Sequence, residues 1–234
     1  MIILTEEQIN KNYSKFKKYL KGYITRDGID KLIAWLDTTD IATMPATTKY
    51  HGVYAGGFIE HCLNVFTRLF KTINADYPTV TNEDGATTDT FPYTKESIAI
   101  VSLLHDLDKV GKYIIQTRNV KVDGEWTQEP FYAVRPTFDR FVFGNPAQNT
   151  IYIIEQFMKL TYDEKLAILH QSGGMYDGND NSVFMAMNAF KVSSLAYYLF
   201  SADFYCMCEV GSKTNSAYYS IYESTDKTEV KVNE

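Results

Sequence analysis

Leu103-Leu104-His105-Asp106-Leu107-Asp108-Lys109 closes an apolar run covering residues 97–104 (S-I-A-I-V-S-L-L). A buried helix therefore delivers one imidazole and one carboxylate side by side. Burying an ionised carboxylate against such a run is costly unless a cation or hydrogen bonds compensate it. Neutral imidazole and carboxylate are the usual ligands of borderline and hard divalent metals, whereas thiolates would point to structural zinc or an iron–sulfur cluster. Asp203 poses the same problem, because it interrupts a second apolar stretch over residues 195–204. With His61 on or beside the apolar stripe of a third helix, three helices can each turn a ligand toward one ion.

Working outward, Thr5-Glu6-Glu7-Gln8 reads as a capping box. Ile9, Tyr13, Phe16 and Leu20 follow at three- and four-residue steps, which predicts an amphipathic helix ended by Gly22. A second helix is expected from near Thr25, with Ile29, Leu32, Ile33 and Leu36 on one face, followed by a polar connection over 37–46. Gly56-Gly57 opens a long helical pattern through Phe58, Ile59, Cys62, Val65, Phe66, Leu69 and Phe70. Residues 75–92, with Pro78, Gly85 and Pro92, read as an exposed loop, and the His105-Asp106 helix follows from about Thr94. Two β-rich runs, 113–122 and 126–134, are joined by Asp123-Gly124, a strong hairpin signal. Helices resume near Pro146, near Thr161 (Thr161 to Glu164 is another capping box) and as one element over 182–210. A glycine-rich turn lies at 173–180. The expected fold class is all-α, a helical bundle with a small β-hairpin inserted after the His105-Asp106 helix. Its parts are N-terminal helices packed on the core (1–50), a main domain (51–211) and a polar C-terminal tail (212–234), expected to be a partly ordered strand or a flexible end.

Composition bounds the function. With 234 residues, 45% hydrophobic and 22% charged, the chain suits one soluble globular domain. The net charge of −6 supplies no general field for nucleic acid, which leaves at most a single strand in a local groove. Eighteen tyrosines can serve core packing, a stacking surface or a partner interface, and a homo-oligomer stays open. Cys62, Cys206 and Cys208 lack the paired spacing of a zinc knuckle, so reduced thiols and a cytoplasmic location are expected. No stretch approaches the roughly 20 apolar residues of a membrane span.

The order His61, His105-Asp106, Asp203 resembles the H…HD…D pattern of the HD-domain metal-dependent phosphohydrolase superfamily. The local contexts agree. His51-Gly52-Val53-Tyr54-Ala55-Gly56-Gly57-Phe58-Ile59-Glu60-His61 is similar to that family's histidine, Gly-Gly and Glu-His segment, found also in bacterial 3′-to-5′ exoribonucleases. Residues 103–109 resemble its Leu-Leu-His-Asp-Ile-Gly/Cys-Lys segment, and Ser201-Ala202-Asp203 its closing Ala-Asp. The resemblance implies an HD-domain helical bundle in which His61, His105, Asp106 and Asp203 hold one divalent metal ion (Mn, Co, Ni, Fe, Zn or Mg). Asp106 and Lys109 would take part in catalysis, with Lys109, His51 and His170 as phosphate contacts. Metal-assisted hydrolysis of a phosphate ester or anhydride of a nucleotide follows, since the cation lowers the pKa of water and offsets phosphoryl charge. Glu60, a helix neighbour of His61, either orients a neighbouring group or is solvated, and Asp108 reads as structural.

The sequence also departs from two-metal relatives. Their Gly-His-Gly segment appears here as Phe143-Gly144-Asn145-Pro146, and a further histidine position falls on Gln171, with His170 one residue early. Amide carbonyls bind transition metals less well than imidazole, so a mononuclear site is expected. The alternatives are a 3′-to-5′ exonuclease on single-stranded nucleic acid and a catalytically reduced HD scaffold that acts through partners.

Overall fold

The computed structural model describes residues 4–140, 142–175 and 180–211. Thr5 starts α1 (Glu6–Tyr23): its hydroxyl accepts from the Gln8 amide while the Gln8 side chain accepts from Thr5 N, so the capping box forms as expected. Gly22 does not end this helix, which runs on to Tyr23 before the chain turns extended at Ile24. The second helix, α2 (Ile29–Leu36), starts later than Thr25. The amides of Thr25 and Arg26 are instead bound by the Glu96 carboxylate, and Gly28 enters the helix at φ 99°, a left-handed position that suits glycine.

Next comes α3 (Gly57–Asp76), then two short paired strands, β1 (Val80–Thr81) and β2 (Thr87–Thr88). The segment read as a plain loop thus contains a miniature hairpin, and Phe91 at its end is buried. Thr94 caps α4 (Lys95–Leu104) through its hydroxyl, which accepts from Ser97 N. Every residue of α4 from Ser97 to Leu104 is buried, which is why the run shows no polar face. It packs against α1 and α3, and beyond Leu104 the chain leaves the helix. Residues Leu107–Lys109 form a single 3₁₀ turn.

The long hairpin follows as β3 (Tyr113–Val122) and β4 (Glu125–Val134), paired antiparallel from Tyr113↔Val134 to Val122↔Glu125. Asp123 and Gly124, at φ 51° and 91°, supply the two left-handed positions that a tight two-residue turn requires. Then come α5 (Pro146–Glu155) and α6 (Tyr162–Leu169), the latter capped by Thr161. The stretch expected as one final helix is two, α7 (Asp180–Val192) and α8 (Ser194–Tyr205), followed by a π-helical stretch, Cys206–Gly211. The break is at Ser193, whose backbone is extended and whose buried hydroxyl meets Tyr93 Oη at 3.1 Å. Tertiary contact breaks the helix there, without Gly or Pro to announce it.

The architecture is therefore mostly α-helical with a small β insertion after α4. One hydrophobic core joins Phe16 and Leu20 of α1 and Leu32 and Leu36 of α2 to α3, α4, α6 and α8. The N-terminal helices share this core, since α1 packs on both α3 and α4. Among the described residues, no helix is long and apolar enough to cross a membrane. The polar tail, 212–234, and positions 176–179 of the glycine-rich turn lie outside the described residues.

Candidate metal centre

Three helices meet at the C-terminal end of α4. α3 presents His61 on its buried face, α4 ends in His105 as its C-cap, and α8 carries Asp203 among Leu195, Leu199 and Ala202. One nitrogen from each imidazole and one carboxylate oxygen lie within 4.8 Å of one another, so these three residues form a group able to hold a metal ion. His105 Nδ1 lies 3.0 Å from the Ser102 carbonyl. A carbonyl only accepts, so Nδ1 carries a proton, and the tautomer this selects for the neutral ring is the one with a bare Nε2 facing the other two ligands.

The decisive feature is what those atoms lack. His61 Nε2, His105 Nε2 and Asp203 Oδ1 are buried without a hydrogen-bond partner. His61 Nε2 approaches Asp203 Oδ1 to 3.0 Å, and His105 Nε2 does so to 3.7 Å, but neither contact is a hydrogen bond. Leaving one such atom unsatisfied costs about 1–3 kcal/mol, and three together fit a common external partner. Two imidazole nitrogens and a carboxylate oxygen are a donor set suited to Mn, Fe, Co, Ni or Zn.

Asp106 stands beside this group, not in it. Its Oδ2 is 3.5 Å from His105 Nε2 but is taken by Lys109 Nζ at 2.6 Å, while Gln171 Nε2 donates to Oδ1 at 3.0 Å. The four-ligand expectation thus meets three convergent residues and a fourth whose two oxygens are already engaged. Lys109 reaches back to Asp106 across the 3₁₀ turn that joins them.

Electrostatics follow from burial. Burial would raise the Asp203 carboxyl, yet His105 and His61 outweigh it and hold it well below the usual range. Asp106 behaves alike, with Lys109 and then His105 prevailing over desolvation. Burial would depress His105, but Asp106 and Asp203 leave it raised. Lys109 is likewise raised, because Asp106 prevails over its burial.

His51 lies over His61, with ring centroids 4.8 Å apart. The loop that places it turns at Gly52 (φ 57°) and folds against the start of α3: a Cβ on Gly57 would meet the Gly52 carbonyl at 2.2 Å, so the second glycine of the pair is sterically required. Burial, then repulsion from His61 and Lys109, pushes His51 down to about 3, and its Nε2 is buried and unpartnered. His170 is the half-buried C-cap of α6 and is not brought into the three-residue group. Glu60 accepts from Tyr54 Oη. Asn145, expected from the HD resemblance to stand where a second-metal histidine would, caps α5: its Oδ1 accepts from Gln148 N at 2.9 Å. Asp108 is buried, paired with Lys112 at 2.9 Å, and its amide donates to Thr150 Oγ1, consistent with a structural part.

Sequence reasoning missed the Ser102 carbonyl and the contact of Gln171 with Asp106. Neither had a signal of its own: the first is backbone, and the second joins residues 65 positions apart. In comparisons with known proteins, no family model, no curated protein and no solved structure matches this chain.

Proposed function

We propose that this chain is a divalent-metal-dependent phosphohydrolase of the HD type, acting on a phosphate ester or anhydride of a nucleotide. The observation that carries the reading is the set of three buried, unpartnered ligand atoms of His61, His105 and Asp203, with the Asp106–Lys109 pair at its edge. The resemblance of three motifs in the right order supports the HD assignment and the nucleotide substrate. When bound by these residues, a divalent ion supplies Lewis-acid chemistry, lowering the pKa of water and offsetting charge on the phosphoryl group.

The chain's own residues do the rest. Ser102 fixes the His105 tautomer, and the apolar surroundings on α4 and α8 exclude bulk water and strengthen each electrostatic interaction. His51 stays neutral and can donate or accept at the edge of the site, and Lys109 brings positive charge to where a phosphate oxygen would lie. The acidic chain, −6 overall, suits a small phosphorylated substrate better than a long polyanion. The test is a matrix of Mn²⁺, Co²⁺, Ni²⁺ and Mg²⁺ against nucleoside mono-, di- and triphosphates, cyclic nucleotides and a single-stranded oligonucleotide. Phosphate or nucleotide release with at least one metal, lost on chelation, is expected. No turnover anywhere in the matrix removes the reading, and cleavage of the oligonucleotide alone replaces it with the exonuclease.

A further inference from the structure

Asp106 is the carboxylate at the centre whose oxygens the protein itself already engages. Gln171 Nε2 donates to Oδ1 at 3.0 Å, and Lys109 Nζ sits 2.6 Å from Oδ2. Oδ2 is also the oxygen on the metal side, 3.5 Å from the unpartnered His105 Nε2. Lys109 is itself confined, with 13% of its side chain exposed. Its ammonium therefore covers the one oxygen that a fourth ligand would present, and two cations cannot share that oxygen without strong repulsion in so dry a place.

We propose that Lys109 is a displaceable internal cation that couples anion binding to metal binding: it neutralises Asp106 in the metal-free protein and is released to a phosphate-type anion when a divalent ion is held. The inference rests on the metal-centre reading above and adds its regulation. Around the ligand atoms the two carboxylates of Asp106 and Asp203 outnumber the single ammonium of Lys109 by one formal negative charge, which repels an anion. Adding a divalent ion turns that balance to one net positive charge, which attracts one. Gln171 keeps its hold on Oδ1 throughout, because only its NH₂ end can face a carboxylate oxygen. Asp106 therefore stays in place while its partner changes. By linkage, phosphate must tighten metal binding by the same factor that metal tightens phosphate binding.

Calorimetric titration of the full chain with Mn²⁺ and with inorganic phosphate, each alone and each in the presence of the other, tests this. Phosphate is expected to bind the Mn²⁺-loaded protein about tenfold or more tightly than the metal-free protein. Lys109→Met, which removes the competing cation, is expected to bind Mn²⁺ about tenfold tighter without phosphate and to show weaker coupling, whereas Lys109→Arg keeps the wild-type pattern. A measurement on the unmutated protein guards against misfolding of the variants: acetylation of Lys109, followed by mass spectrometry, should rise about tenfold on Mn²⁺ saturation while exposed lysines such as Lys11 stay constant. Mn²⁺ binding with Lys109 labelling unchanged, or with equal Mn²⁺ affinity in a folded Lys109→Met, overturns the coupling and leaves the metal centre standing. Absence of Mn²⁺ binding by the wild type overturns both.

Discussion

Helix α4 runs between two charged clusters, one half-buried and one buried, that meet the same electrostatic demand in opposite ways. At its N-terminal end, Arg26 binds Glu164 in bidentate fashion at 2.6 and 2.7 Å and Glu96 at 3.2 Å. The remaining carboxylate capacity is filled by the amides of Thr25, Arg26 and Thr161, so every oxygen of both acids is engaged. About 15 Å away, the length of a ten-residue helix, His61, His105 and Asp203 turn buried atoms toward one another with no hydrogen-bond partner. The first cluster is complete within the chain and ties the α1–α2 connection to the starts of α4 and α6. The second is incomplete within the chain, and that incompleteness marks it as a site. Three convergent ligand atoms left unsatisfied together are what an external partner would complete.

The comparison can be broken most directly at Asp203. Asp203→Asn keeps the shape and removes the charge, so metal-dependent hydrolysis should fall on the order of 10³-fold, about 4 kcal/mol of lost charge stabilisation. Unfolding stability in urea should change far less than activity, because no hydrogen bond of Asp203 Oδ1 is lost and only its attraction to His61 and His105 goes. A large stability loss would mean that the site holds the fold together and that the contrast is false. Arg26→Ala should do the reverse. It strands Glu164, whose side chain is fully buried, and should cost about 3 kcal/mol in urea unfolding while leaving Mn²⁺ affinity in the folded state unchanged.

The pH dependence separates the clusters by sign. Glu164 and Glu96 are held below their ordinary value of 4.5: burial opposes ionisation, but Arg26 and the backbone amides outweigh it. Their stabilisation is fully present above 4.5 and is lost as pH falls through the depressed folded values. His105 is raised above 6.5, so its contribution is fully present below 6.5 and is lost as pH rises through the raised folded value. Urea midpoints between pH 3 and 9 should show both limbs in metal-free protein. Arg26→Ala should flatten the acid limb alone, and saturating Mn²⁺ should remove the alkaline one, since the ion takes over the neutralisation of Asp106 and Asp203. An acid limb unaltered by Arg26→Ala would place that stability elsewhere.

What sequence can show differs between the clusters for a physical reason. The ligands of the second are chemically rare residues in apolar surroundings, and His61, His105 and Asp203 stand out one by one because burying them needs an explanation. The long hairpin is legible too, since Asp123-Gly124 encodes its own turn, as are the capping boxes at Thr5 and Thr161. Arg26 has no such signature. It reads as an ordinary charged residue in a connection, and its importance arises from Glu164, 138 positions away. The delayed start of α2 and the break at Ser193 are hidden for the same reason, as Glu96 and Tyr93 impose them across the fold. Asp106 is half legible: its place beside His105 is local, but its engagement by Gln171 is not.

Asn145 offers the finest test of where one cluster ends and the ordinary fold begins. The HD resemblance would put it at the position of a second-metal histidine, as a lost ligand. In the fold it is an exposed N-cap whose Oδ1 accepts from Gln148 N, while its own amide donates to Gln148 Oε1 at 3.0 Å. The two readings predict different losses. A capping residue replaced by alanine costs about 1 kcal/mol of stability. Asn145→Ala should therefore lower the urea midpoint by that small amount and leave Mn²⁺ stoichiometry and affinity unchanged. Asn145→His should likewise fail to add a second ion, because this side chain points at the first turn of α5, whose amide it caps. Two ions per chain in Asn145→His would show that the position still belongs to the metal centre, and the boundary between the two kinds of buried polar group would have to be redrawn to include α5.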